Sequence, residues 1–479
     1  MLFNSYGFIL IFFPLVFLVF RASLNRNLQF ALVWLTIASL AFYGWWDKRY
    51  LVLVVASFTA NFFTGFFISR SKSDRLRLLL LVMGITANLT LLGYYKYWNF
   101  FVHELERTGL HWPTASVALP LGISFFTFTQ IAFLTDTYRR LANEKSFVRY
   151  ALFVTYFPHL IAGPLIHHKQ VMSQFDSGLT LRVNSATFSS GLTLFVIGLA
   201  KKIFLADNFS LYATPVFDLA ASASSMSAAD AWCGTLAYTL QLYFDFSAYS
   251  DMAVGASRCF GIELPINFNS PYKSRSIIDF WRRWHITLSE FLRDYLYIPL
   301  GGNRHGEFRR YLNLGITMLL GGLWHGANWT FLVWGALHGA YLITNHLLAA
   351  RFRHALHLLD GQLMAALQRL FVFLLVAIAW VFFRAQDLTS AWTVLSAMFG
   401  LGSGSTLVSN FSNTVGIAAG LVIAWGLPNS NEIVSKLSAP ATSGTARALS
   451  SATPWLVGLS LWICLLMLDK KSEFLYFQF

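Results

Sequence analysis

The chain has 479 residues, of which 56% are hydrophobic, 17% aromatic and only 12% charged, about half the charged share of a soluble domain. These figures exclude a water-soluble enzyme as well as disordered, collagen-like and coiled-coil chains, and leave a polytopic membrane protein whose spans need about 20 apolar residues each. The formal net charge of +13 fits basic cytoplasmic loops facing anionic lipid headgroups, and nucleic acid is not expected as a partner.

In chain order, Phe8 to Phe20 is apolar and runs into Arg21 without a small-residue cleavage site, which predicts a retained first span. Further apolar runs follow at roughly 28–46, 50–68, 78–95, 117–135, 150–166, 187–206, 229–246, 311–323, 329–349, 367–384, 412–427 and 454–468. Those near 117, 229 and 311 carry Gly, Pro, Asp or Thr and are expected to be broken or re-entrant, which lipid tolerates only where protein or a water-filled cavity surrounds the backbone. Pro158-His159 and Gly163-Pro164 predict a kink. Arg21/Arg26, Arg70 to Arg77, Arg139 to Arg149 and the stretch 273–310 belong in the cytoplasm by the positive-inside rule, which puts Met1 outside. Cys233, Cys259 and Cys464 sit in or beside apolar stretches without a CxxC pair, so neither a disulfide framework nor a zinc site is indicated.

Leu242-Tyr-Phe-Asp-Phe-Ser-Ala-Tyr-Ser-Asp251 sets two carboxylates, Asp245 and Asp251, in an aromatic run. They either line a polar passage or pair with Arg or hydroxyl groups to brace a broken helix. The stretch 273–310 holds eight basic residues, among them Lys273, Arg275 and Arg304, against four acidic ones. With Trp281, Trp284, Tyr295 and Tyr297 it predicts a segment at or just below the cytoplasmic interface. Asp279 to Tyr297 reads as one helix, with Asp279 and Arg283 paired at i,i+4 and His285 among Trp281, Leu288 and Ser289.

His325 lies in Gly321-Gly-Leu-Trp-His-Gly-Ala-Asn-Trp329, a glycine-rich apolar run where an ionisable side chain is costly to bury and is therefore a functional candidate. An imidazole with an unperturbed pKa near 6.5 can take a proton from a hydroxyl and return it at neutral pH. The rival use, zinc, lacks support because His285, His325, His338 and His346 have no ligand spacing. No G-x-S-x-G, Walker or GxGxxG motif is present. The C-terminal stretch 469–479, ending Phe474-Leu-Tyr-Phe-Gln-Phe479, is too aromatic to float in water. Ten extended residues reach about 33 Å, enough to fold back from a last span into a central cavity and present Tyr476; the plainer reading is an interfacial anchor. Residues 1–468 read as a single membrane domain and 469–479 as an aromatic tail.

Ile266-Asn-Phe-Asn-Ser-Pro-Tyr-Lys-Ser274, Asp279-Phe-Trp-Arg-Arg-Trp-His285 and Gly322-Leu-Trp-His-Gly-Ala-Asn-Trp329 resemble the signature of the membrane-bound O-acyltransferases. The likeness is strongest to the bacterial alginate O-acetyltransferase branch, with its peptidoglycan, cellulose and teichoic-acid counterparts, and extends from Met1 to about residue 350. It implies an all-α helical shell around a central funnel and tunnel, in the bacterial inner membrane. It implies His325 as the main catalytic residue and His285 as its companion; Asp245, Asp279, Arg283, Trp324 and Asn328 are expected to support this site or line the tunnel. It also implies acetyl-CoA as donor, its phosphates drawn by Lys273, Arg275 and Arg304, no metal, and transfer to an envelope polysaccharide. A periplasmic SGNH-type acetyltransferase and a polysaccharide synthesis or export complex would be the partners. The tail resembles the Phe-Leu-Tyr-Phe motif of a small partner in teichoic-acid D-alanylation, which makes Tyr476 the expected acyl acceptor. D-alanyl transfer from a carrier protein and a transporter or flippase for a glycan precursor are the competing expectations.

Overall fold

The computed structural model describes residues 1–115, 118–176, 184–351, 361–438, 444–468 and 474–475, and the regular elements among these are helices without strands. Five of them are long and apolar enough to cross a membrane: Gly7–Leu24, Lys48–Arg70, Asp74–Glu106, Ser185–Ala221 and Gln362–Arg384. Their apolar residues point outward as well as inward. Leu363 is 75% exposed and Val52 72%, a cost that only a hydrocarbon surround removes.

The chain forms two compact units. The first comprises Met1–Leu199, Tyr249–Ile266 and Ile433–Glu473. Phenylalanine rings hold its interior together, with Phe8 packed against Phe3, Phe12, Phe13, Phe42, Phe157 and Phe195. Where the Lys48–Arg70 and Asp74–Leu92 helices pack, Asn61 and Asn88 exchange side-chain hydrogen bonds of 3.3 and 2.7 Å, so neither amide is left unsatisfied away from water.

The second unit, Ala200–Ala248, Asn267–Glu432 and Phe474–Phe479, holds both candidate histidines. The run near residue 229, expected to be broken, belongs instead to a continuous 32-residue helix, Ala228–Cys259. Two of its carboxylates are met without breaking the backbone: Asp230 accepts from the amides of Leu407, Val408 and Ser409, and Asp245 from Lys202. The run near 311 lies in Gly306–His325, which turns at 326–328 and returns as Trp329–Arg351. These two helices touch at glycines. A Cβ on Gly322 would lie 2.3 Å from the Phe331 carbonyl oxygen, and one on Gly335 2.5 Å from that of Met318.

Candidate active site

Asp279 to Tyr297, read as a single helix, is interrupted. Ile277–Trp281 and Ile286–Leu292 are separate short helices, and between them His285 takes a left-handed backbone with φ 42°. The cause is tertiary. Residues 267–269 run alongside, the Asn267 carbonyl accepting from the Ile286 amide and the Arg283 carbonyl from the Asn269 amide, each at 3.0 Å. Helix continuity through His285 gives way to these bonds, at the modest strain a non-glycine residue meets at positive φ.

The Asn267 side chain completes the arrangement and sets the protonation of the site. Its Oδ1 accepts from the Thr287 amide at 3.3 Å, the Thr287 hydroxyl at 3.0 Å and His285 Nδ1 at 3.1 Å. The Thr287 amide can only donate, so it fixes the oxygen as the acceptor, and Nδ1 of His285 must then carry the proton. Nε2 keeps its lone pair. His285 is fully buried and lies outside the five candidate spans, edge-on to Phe246 at 4.8 Å. Burial pushes its imidazole down from 6.5 to about 3, so at neutral pH it is a neutral ring with an oriented acceptor nitrogen.

His325 ends the Gly306–His325 helix and is 6% exposed. Its ring lies 4.9 Å from Trp324, 5.1 Å from Trp334 and 5.0 Å from Phe383. Trp324 also stands 6.2 Å from the His285 ring, so one indole is flanked by both histidines. All three rings pack edge-to-face with the imidazole, at interplanar angles of 70°, 86° and 71°. The Asn328 side chain ties this corner together: Oδ1 accepts from the Thr330 amide at 3.1 Å, starting the returning helix, and Nδ2 donates to the Gln386 carbonyl at 2.7 Å.

The remaining sequence candidates divide. Asp279 and Arg283 pair with one another at 2.8 Å, half-exposed, and the guanidinium also reaches the Asn269 carbonyl, which braces the segment opposite His285. Asp245 forms a buried ion pair with Lys202 at 2.7 Å. Lys273 donates to the Leu427 carbonyl at 2.6 Å, whereas Arg275 and Arg304 are exposed. Tyr476 lies outside the described residues. Among those residues, no three His, Cys, Asp or Glu side chains are grouped to hold a metal ion.

Asn267, Thr287 and Lys202 were not singled out by sequence, nor were Trp334 and Phe383. Asn267 stands within the Ile266–Ser274 motif, and a motif residue without a role of its own was the available signal. Lys202 offered one too: a lysine inside an apolar run needs a partner.

The profile of the MBOAT, membrane-bound O-acyltransferase family, matches residues 98–385, a stretch that includes both histidines and the whole of the Asn267 contact. The peptidoglycan O-acetyltransferase of Helicobacter pylori is 43% identical over 84% of this chain and 80% of its own length. The chain belongs to the membrane-bound O-acyltransferase family. The probable alginate O-acetylase AlgI of Pseudomonas aeruginosa is 41% identical over 89% of this chain and 80% of that protein. A teichoic acid D-alanyltransferase of Bacillus subtilis is more distant, at 27% over 52% of this chain and 63% of its own. In this multi-pass membrane acyltransferase the buried rings of His285 and His325 lie 6.2 and 4.9 Å from the same tryptophan, Trp324.

Proposed function

We propose that this acyltransferase moves acetyl from acetyl-CoA on the cytoplasmic side of the bacterial inner membrane to a hydroxyl, for O-acetylation of an envelope or extracellular polysaccharide of the alginate or peptidoglycan kind. The observation that carries the reading is the pair of buried histidines about one indole, one of them with its tautomer set by Asn267. The relatives named as O-acetylating proteins support acetyl over D-alanyl, since their identities of 43% and 41% exceed the 27% of the D-alanyl relative.

In this reading His325 takes the proton of the acceptor hydroxyl as its oxygen attacks the thioester carbonyl. A carbon–oxygen bond forms, the carbon–sulfur bond breaks, and the proton passes to the departing thiolate, leaving CoA as its thiol. His285, too weakly basic at neutral pH to hold that proton, accepts a hydrogen bond at Nε2 and orients donor or acceptor. Tyr476 is the proposed first acceptor, with the acetyl ester passed on to a periplasmic SGNH-type transferase of a polysaccharide complex.

The test is reconstituted protein with radiolabelled acetyl-CoA. His325→Ala should lower label transfer about 100-fold or more, the scale of a lost general base, while the protein melts as the wild type does. Wild-type transfer by the folded variant refutes the assignment. Untouched thioester beside measurable solute flux would establish the transporter reading instead.

A further inference from the structure

The buried Lys202–Asp245 pair, on which the mechanism above does not draw, also holds a segment from far along the chain. Both side chains are 2% exposed, with Lys202 Nζ 2.7 Å from Asp245 Oδ1 and 2.9 Å from Asp207 Oδ1. The second oxygen of Asp245, Oδ2, accepts from the backbone amide of Leu475 at 2.9 Å, across 230 residues of sequence. The ring of Phe474 lies over Lys202 Nζ at 4.7 Å. Phe474 and Leu475 are themselves buried, at 0% and 7% exposure.

An apolar pair of similar volume generally stabilises an interior as well as or better than a buried ion pair does, so packing alone gives no reason to keep these charges. A carboxylate that turns one oxygen to its lysine and the other to the amide of a distant segment does have a use, which is to hold that segment. We propose that the Lys202–Asp245 pair is a socket that positions the C-terminal segment for acyl transfer. It recognises an aromatic ring at 474 by its cation and a free backbone N–H at 475 by its carboxylate, so it accepts an aromatic residue followed by any residue except proline.

The location fits this use. Tyr476 follows the anchored amide directly, one Cα step of about 3.8 Å further on, so few torsions separate its hydroxyl from a fixed point. Phe246, the residue after Asp245, is the ring that packs edge-on against His285. The socket and one wall of the histidine site are therefore successive positions on one helix. Fixing the acceptor in this way removes orientational freedom before reaction. The role given to Tyr476 rests on the relay reading; the seating of residues 474 and 475 does not.

The experiment places a cysteine at Leu475, in full-length protein in detergent, and follows its labelling by a water-soluble maleimide. The native cysteines Cys233, Cys259 and Cys464 are buried and free, which keeps the background low. Lys202→Met with Asp245→Leu should speed labelling about tenfold or more, the weight of a charge-assisted hydrogen bond. It should also lower the rate of acetyl appearance on the tail by a similar factor without raising KM for acetyl-CoA. Asp245→Asn, which keeps an acceptor oxygen, should fall between. Phe474→Ala leaves the buried charges in place and serves if the double variant does not fold; it too should label faster. Labelling at the wild-type rate in the folded double variant, or in Phe474→Ala if the double variant does not fold, overturns the socket. Tyr476→Phe should abolish acetyl on the tail while leaving labelling slow, so failure of the relay and failure of the socket give different results.

Discussion

At the scale of single residues, Asn267 and His285 are coupled through one oxygen. Asn267→Leu removes an acceptor shared by three buried donors, at about 1–3 kcal/mol for each group left unsatisfied. It frees the imidazole to take either tautomer, and a fall in kcat of about tenfold or more is expected, since Nε2 would then present a proton in part of the population. Asn267→Asp keeps the acceptor and adds a negative charge beside the ring, which raises the His285 pKa. The acid limb of the pH–rate profile should accordingly move to higher pH in Asn267→Asp and stay in place in Asn267→Leu. The stability of the protein carries the same signature. His285 has a folded pKa of about 3 against an ordinary 6.5, so below 6.5 the unfolded chain binds a proton that the folded one does not. His285 therefore contributes no pH dependence above about 6.5 and an increasing loss of stability as pH falls from there towards 3, measurable as a declining melting temperature in detergent.

At the scale of elements, the Gly306–His325 and Trp329–Arg351 hairpin sets the position of His325. Its helices approach so closely at Gly322 and Gly335 that an added Cβ would meet backbone oxygens at 2.3 and 2.5 Å, atoms that cannot swing aside as a side chain would. Gly322→Ala should therefore separate the helices near the turn, destabilise the protein by about 1–3 kcal/mol as overpacking does, and reduce kcat more than KM because His325 is three residues away. Gly315→Ala, on the same helix where a Cβ meets nothing within 4 Å, is the control and should leave both stability and kcat close to wild type. A loss in Gly315→Ala equal to that in Gly322→Ala would show that helix flexibility, not close approach, is at issue. The hairpin was partly legible: the apolar runs and the glycines are in the sequence, yet nothing local says which glycine meets a neighbouring backbone.

At the scale of the whole molecule, an excess of Lys and Arg over Asp and Glu, 35 against 22, gives a field that attracts anionic donors, strongest where exposed charges are not already engaged. Lys273 donates to a backbone carbonyl, whereas Arg275 and Arg304 are exposed. Under the proposed use of acetyl-CoA as donor, Arg275→Gln with Arg304→Gln should raise its KM about threefold to tenfold at low salt and much less above about 0.5 M salt, where screening shortens the reach of exposed charges, with kcat unchanged. Equal effects at both salt concentrations would argue for a direct contact in place of a field.

Composition alone settled that this chain lives in a membrane, because no soluble core could cover so much apolar surface; His325 stood out because an imidazole in an apolar run is costly to bury, and His285 through the resemblance of its Asp279–His285 motif. The i,i+4 pairing of Asp279 with Arg283 was legible for the same local reason, a spacing of one helical turn. The break at His285 was not, since helical propensity favours continuity there and the bonds that overrule it come from Asn267, 18 residues away. Nor was the seat of residues 474 and 475, whose partner stands 230 residues earlier. Burial and periodicity are properties of neighbouring residues, but hydrogen-bond partners and protonation belong to whichever segments the fold brings together, and only the tertiary structure decides those.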